Sequence, residues 1–314
     1  MERKPTWVCT LVTQLCLCLA LYGALNLGQP QKSIYQKSDD FYFISVGGGF
    51  RPFKQQTHLL KLFLLLMKME RVANSYQARF VVNTSELGEN DPLKQNATMI
   101  FRSLKVPWYT ILCNQLPDVD TFVLHNIRCC CGHHKYTTRA SKGQEFGCFQ
   151  EKIKLPHSET LDIIGVDTGS LQETMLAGLS SGSANNQINW LTRTLERTDS
   201  NWCIVVGFHP LVVCEENKEQ MKAKRIYNSL HHIFMKFGVN LYLSKQGCTR
   251  YSCQDSVTYI ENPDLIKFAN GRETVDDGFL LHRVSSLEIA TYFVTLYGEV
   301  MHRTVIRQRG KEVM

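Results

Sequence analysis

The residues able to do chemistry sit just after apolar, β-branched runs. Phe41–Val46 leads into Gly47-Gly48-Gly49, Phe80–Val82 into Asn83-Thr84-Ser85-Glu86, and Val106–Leu112 into Cys113-Asn114-Gln115. Leu161–Val166 leads into Asp167-Thr168-Gly169, Trp202–Val206 into Gly207-Phe208-His209-Pro210, and Val239–Leu243 into Ser244-Lys245-Gln246-Gly247-Cys248. His209 has the type of a general base, but no carboxylate partner is indicated, which favours a structural histidine. Asp167-Thr168-Gly169 has the pattern of half a carboxylate dyad sharing one proton; the chain has no second Asp-Thr-Gly or Asp-Ser-Gly, so a dyad would need a homodimer. Cys248 lacks an activating histidine in view and reads as structural. Glu86, Glu89 and Asp91 read as a solvated loop. A glycine run such as Gly47–Gly49 lets backbone approach a phosphate only if a helix starts directly behind it, and none does here.

These positions need strands and helices to hold them. Short β-branched runs read as buried strands. Gln55–Asn74 reads as a helix with an apolar insert at Leu62–Met67, Gln187–Glu196 as an amphipathic helix, and Glu215–Phe237 as another. Ala78–Val82, Ser256–Ile260 and Gly278–Val284 add strands, Phe146–Leu155 holds a short one, and Leu287–Val294 with Val300–Ile306 forms a hairpin about Tyr297-Gly298-Glu299. Thr84–Asn96 reads as a polar loop. Strand–helix–strand alternation favours a sheet with helices on its faces.

The chain has 314 residues, 44% of them hydrophobic and 20% charged, an ordinary globular composition. Its net charge of +6 is scattered, and no basic run is interleaved with aromatics, so no nucleic acid is expected as a partner. Trp7–Leu27 is strongly apolar and follows Arg3 and Lys4. That pattern suits a single-pass signal anchor with a short cytoplasmic N-terminus (1–6) and a lumenal body. A cleaved signal peptide, and hence secretion, is the alternative, but Gly23-Ala24-Leu25-Asn26 is a poor cleavage site. Residues 28–40 then form a linker, 41–306 the body and 307–314 a basic tail. The expected location is a membrane of the endoplasmic reticulum or Golgi. The sequons at Asn83 and Asn96 fit a lumenal, glycosylated body.

Twelve cysteines include three in the apolar segment. Among the rest, Cys248 with Cys253, or Cys203 with Cys214, could pair. Cys129-Cys130-Cys131-Gly132-His133-His134 has metal-binding residue types but not the separated ligand pairs of a structural zinc site. It lies in 113–142, which has no sustained period and reads as an irregular insertion. Together with 61–68 it reads as sequence foreign to the fold, as retained non-coding sequence would be. The repeat of Tyr109-Thr110 at Tyr136-Thr137 supports that reading.

In order, the blocks resemble the metallophosphoesterase (calcineurin-like phosphoesterase) superfamily, and within it the purple acid phosphatases of the tartrate-resistant type. The resemblance implies an α/β fold, an αββα sandwich of two β-sheets with outer helices, here behind an N-terminal membrane helix. It implies two metal ions, such as iron with zinc or manganese, that activate a water and clamp the phosphoryl oxygens. By the resemblance, Gly48 stands for the first Asp, Glu86 for the bridging Asp, and Leu87 and Glu89 for an Asn and a Tyr. Asn114 matches the family Asn, and Gln115 replaces the catalytic His. Phe208 replaces a His ligand beside His209, and Gln246 and Cys248 replace the last two His. Gly48, Leu87 and Phe208 offer a hard cation no side-chain lone pair. The expectation is therefore a degenerate site with no catalytic residues and no bound metal, in a binding or scaffold protein for an unknown protein or phosphorylated ligand. The alternative is an acid phosphatase with a rebuilt metal site.

Overall fold

A computed structural model describes residues 12–17, 40–48, 56–85, 87–111, 148–169, 171, 182–211, 218–245, 251–263 and 278–308. The chain divides into two units, Met1–Ser38 and Asp39–Met314. In the first, residues 12–17 are helical, and the rest of the expected anchor lies outside the described residues. No helix among the described residues is long and apolar enough to cross a membrane.

The second unit is built on two six-stranded mixed sheets. The first joins β1 (Phe41–Val46), β2 (Val81–Asn83) and β3 (Trp108–Thr110) to β10 (Gly278–Val284), β11 (Glu288–Thr295) and β12 (Val300–Arg307), in the order β12-β11-β10-β1-β2-β3. The second holds β4 (Phe149–Lys154), β5 (Thr160–Val166), β6 (Trp202–Gly207), β7 (Leu241–Lys245), β8 (Tyr251–Gln254) and β9 (Val257–Asn262), in the order β4-β5-β6-β7-β9-β8. β1, β2 and β3 run parallel, as do β5, β6, β7 and β9. Their carboxyl ends are where ligands gather in open α/β sheets.

One core lies between the sheets. Phe43, Phe80, Leu280 and Phe293 of the first sheet meet Ile163, Ile204, Leu243 and Ile260 of the second. Two-residue alternation turns the next side chains outward. There Val205, Tyr242 and Tyr259 meet Leu191 and Leu195 of α3 (Gly182–Glu196) and Leu230 and Phe234 of α4 (Lys218–Lys236). The opposite outer face carries α1 (Gln56–Tyr76), which packs on β1 and β10, with α2 (Pro92–Ile100) beside it. The layers are thus helix, sheet, sheet, helix, as the resemblance implies.

Two expectations are corrected. Residues 61–68 are not foreign to the fold: Leu62, Leu65, Leu66 and Met69 recur at helical spacing and are at most 6% exposed, so this stretch is the buried face of α1. Residues 84–96 are not a loop throughout, because Asp91 caps α2 and Pro92 occupies its first turn. Among the described residues Cys203 and Cys253 are free thiols, and Cys214 and Cys248 lie outside the described residues. Cys203 is buried, and burial with the nearby Asp162 pushes its thiol up to about 12. The insertion 113–142, with its cysteines and histidines, lies outside the described residues.

Candidate functional site

The family-like blocks fall at the carboxyl ends of the parallel strands. β1 ends at Val46, and Gly47 and Gly48 follow with no exposed surface to speak of. A Cβ on Gly48 would stand 1.9 Å from Asp91 Oδ2, 2.3 Å from Asn83 Oδ1 and 2.6 Å from Ser85 Cβ. Those three groups form a closed turn. Asn83 Nδ2 donates to Asp91 Oδ2 at 2.8 Å, and Asn83 Oδ1 accepts from Ser85 N at 3.1 Å. Asp91 Oδ1 accepts from Leu93 N at 2.9 Å, which caps α2. Asn83, Ser85 and Asp91 are each 0% exposed. The space a first-ligand carboxylate would need is therefore filled.

This arrangement overturns two readings. Asp91 is a buried cap rather than a solvated loop residue, and its neighbour Pro92 is the sequence signal that marks it. A glycan on Asn83 is incompatible with this fold, because its amide is buried and both polar atoms are engaged. Asn96 is half-buried on α2, and its amide donates to Pro92 O at 2.7 Å. Glu89 is exposed, pairs with Lys94 and accepts from Thr110 Oγ1 at 3.1 Å.

Below this turn lies a polar chain that sequence reasoning missed. Ser45 Oγ donates to Asn262 Oδ1 at 2.6 Å and stands 2.7 Å from His282 Nε2. The hydroxyl has one proton, and Asn262 takes it, so His282 Nε2 must donate to Ser45. His282 Nδ1 then accepts from Thr291 Oγ1 at 2.9 Å. Asn262 Nδ2 passes on to Ser244 O at 3.2 Å and Thr84 Oγ1 at 3.3 Å. The donors run in one direction and tie β10, β11 and β1 of one sheet to β9 and β7 of the other. Burial drives His282 down to about 3, so the imidazole is neutral, and it stacks on Phe43 with ring centroids 4.4 Å apart. Ser45 and His282 are both 0% exposed, so no substrate reaches this pair.

The second group of expected site residues surrounds the end of β6. Phe208 N and His209 N both donate to Thr168 Oγ1, at 3.1 and 3.0 Å. Tyr242 Oη donates to His209 O at 2.7 Å, and a Cβ on Gly207 would stand 2.0 Å from that hydroxyl, so only glycine lets the chain pass. The Phe208 ring meets the His209 ring edge-on, and Lys245 Nζ lies 5.1 Å from the Phe208 centroid. Burial and then the Lys245 charge push His209 down to about 4. His209 Nδ1 lies 3.2 Å from Thr168 Oγ1 and no carboxylate among the described residues orients it, so it is a positioned, neutral imidazole. Asp167 Oδ1 accepts from Gly169 N at 3.1 Å and the residue is 2% exposed, so it closes a turn.

Glu86, Asn114, Gln115, Gln246 and Cys248 lie outside the described residues. Among the described residues, no three His, Cys, Asp or Glu side chains gather as a metal-binding group. The residues that are described do not fit a two-metal centre. Gly48 and Phe208 supply no ligand atom, and the Asn83–Asp91 pair occupies the space beside Gly48.

No family model and no curated protein matches the chain. Solved structures do. GAP50, described as the anchor in the inner membrane complex of Plasmodium, superposes with a TM-score of 0.58 at 16% identity, covering 87% of this chain and 90% of that one. The purple acid phosphatase PPD1 from yellow lupin (Lupinus luteus) superposes with a TM-score of 0.50 at 12% identity, covering 86% of this chain; this chain spans about half, 54%, of that longer one. Joined to the layer order and the strand-end blocks, these likenesses show that the chain has the metallophosphoesterase fold.

Proposed function

We propose that this protein is a membrane-anchored binding or scaffold protein that keeps the phosphoesterase framework without phosphatase activity. One observation carries the reading: a side chain at position 48 has no room, because Asp91 and Asn83 fill the space it would enter. A two-metal hydrolase needs donors that converge on open space to hold both ions and a water. Here the donors converge on each other. Phe208 closes the corresponding place on β6 with a ring that meets Lys245 rather than a lone pair. The degeneracy is of the tartrate-resistant purple acid phosphatase type in this reading. The Trp7–Leu27 segment supplies the anchor and places the body in the lumen of the secretory pathway. GAP50, a structural neighbour described as an anchor in a membrane complex, is in keeping with such a role.

A second reading draws on one observation. Asp91 puts a carboxylate where the side chain of residue 48 would begin, as a rebuilt acid phosphatase site would require. Both of its oxygens are already hydrogen-bonded, at 0% exposure, which weighs against it. Full-length protein from a secretory host, incubated with iron, zinc or manganese, separates the two readings. Scaffold protein hydrolyses no phosphomonoester above the rate of the same metal in buffer without protein. Metal-dependent turnover would establish the enzyme instead.

A further inference from the structure

The outer face of α1 and α2 is apolar where a solvated helix face would be polar. Leu60, Phe63, Leu64 and Met67 on α1, with Met99 and Ile100 on α2, are 38–69% exposed. Phe63 reaches Phe101 at the end of α2, with centroids 6.0 Å apart, so the two sets are continuous. On α1 they form a stripe at i, i+3, i+4 and i+7, back to back with the buried Leu62, Leu65, Leu66 and Met69. An exposed apolar patch of this kind marks a surface that meets something.

Charge says what. Arg71 extends the stripe by one turn, and Arg102 and Lys105 follow α2; all three are exposed. The stretches 56–76 and 92–105 contain one acid, Glu70, and it accepts from Ser103 N at 3.0 Å. A helix with an apolar face and a mainly basic rim has the composition of an interfacial membrane helix. A second copy would set like charges against each other.

We propose that the α1–α2 face docks on the lipid bilayer, with Phe63 and its neighbours entering the headgroup–acyl boundary and the basic rim meeting lipid phosphates. The proposal rests on the membrane-anchored reading above. Asn96 lies three and four residues before Met99 and Ile100, so a bulky glycan there would stand on the docking face.

The test uses the full chain with Phe63→Trp or Tyr251→Trp, in vesicles of phosphatidylcholine and phosphatidylserine brominated on the acyl chains. Tyr251 is exposed on β8, at the far edge of the second sheet, and serves as the control. Each reading is taken as the increment over the unsubstituted chain, and flotation checks that the protein is on the vesicles. Docking predicts several-fold stronger quenching of the tryptophan at 63 than of that at 251, reduced when Arg71, Arg102 and Lys105 are all changed to Glu. A chain that floats with neither position quenched, or both quenched equally, overturns the docking and leaves the anchor standing. A chain that does not float overturns both. A patch covered instead by self-association that Phe63→Glu abolishes, or by another protein, overturns the docking, as does a glycan found on Asn96.

Discussion

The Asn83 amide donates to Asp91 Oδ2 at 2.8 Å, in the space that any side chain on Gly48 would have to enter. The pair joins the end of β2 to the cap of α2 and makes glycine at 48 a packing requirement. Restoring the carboxylate by Gly48→Asp is thus expected to disrupt the turn rather than rebuild a metal site. Even Gly48→Ala overpacks a fully buried spot, and such changes cost about 1–3 kcal/mol. Urea unfolding of Gly48→Ala against the parent measures the cost. An alanine variant as stable as the parent would show that the turn is loose.

The buried imidazole of His282 makes stability depend on pH. In the folded chain burial holds it near 3, while the unfolded chain protonates it near the ordinary 6.5. Between those values the unfolded state binds the extra proton. The stabilising effect is complete above about pH 6.5 and is lost as pH falls towards 3, by up to ~1.4 kcal/mol per pH unit. His282→Gln is expected to flatten the fall in stability between pH 6.5 and 5 by up to one proton. Equal slopes in parent and variant would mean that the imidazole is not held neutral.

Leu65 is 0% exposed in the stretch 61–68. Leu65→Ala is expected to destabilise by about 2–5 kcal/mol, the range for a buried Leu truncated in a core. Removal of 61–68 is expected to unfold the body, since it deletes two turns of α1 and three of its buried side chains, Leu62, Leu65 and Leu66. Circular dichroism melts measure both. A deletion variant that melts at or above the parent temperature would return this stretch to the status of an insertion.

The strands facing both core and helices were legible because burial on two faces writes continuous apolar runs: β1 and β6 read directly from Phe41–Val46 and Trp202–Val206. β8 was not legible. It is a short edge strand whose turn, Asp255-Ser256, adopts φ of 43° and 82° without the glycine that usually announces such a hairpin. At the site, Gly48 and Phe208 could be placed by block order, since each follows a strand. What fills the space could not be. Ser45 meets Asn262 and His282 across 217 and 237 residues of sequence, and only the register of β1 on β10 and the facing of the two sheets join them. Asp91 carried a signal, the following proline, that its polar surroundings concealed.

Elemental analysis of the full-length protein from a secretory host, purified without chelator, tests the central claim most directly. A filled, ligand-poor site predicts far less than one iron, zinc or manganese per chain and no charge-transfer colour. Two metals per chain would contradict the account.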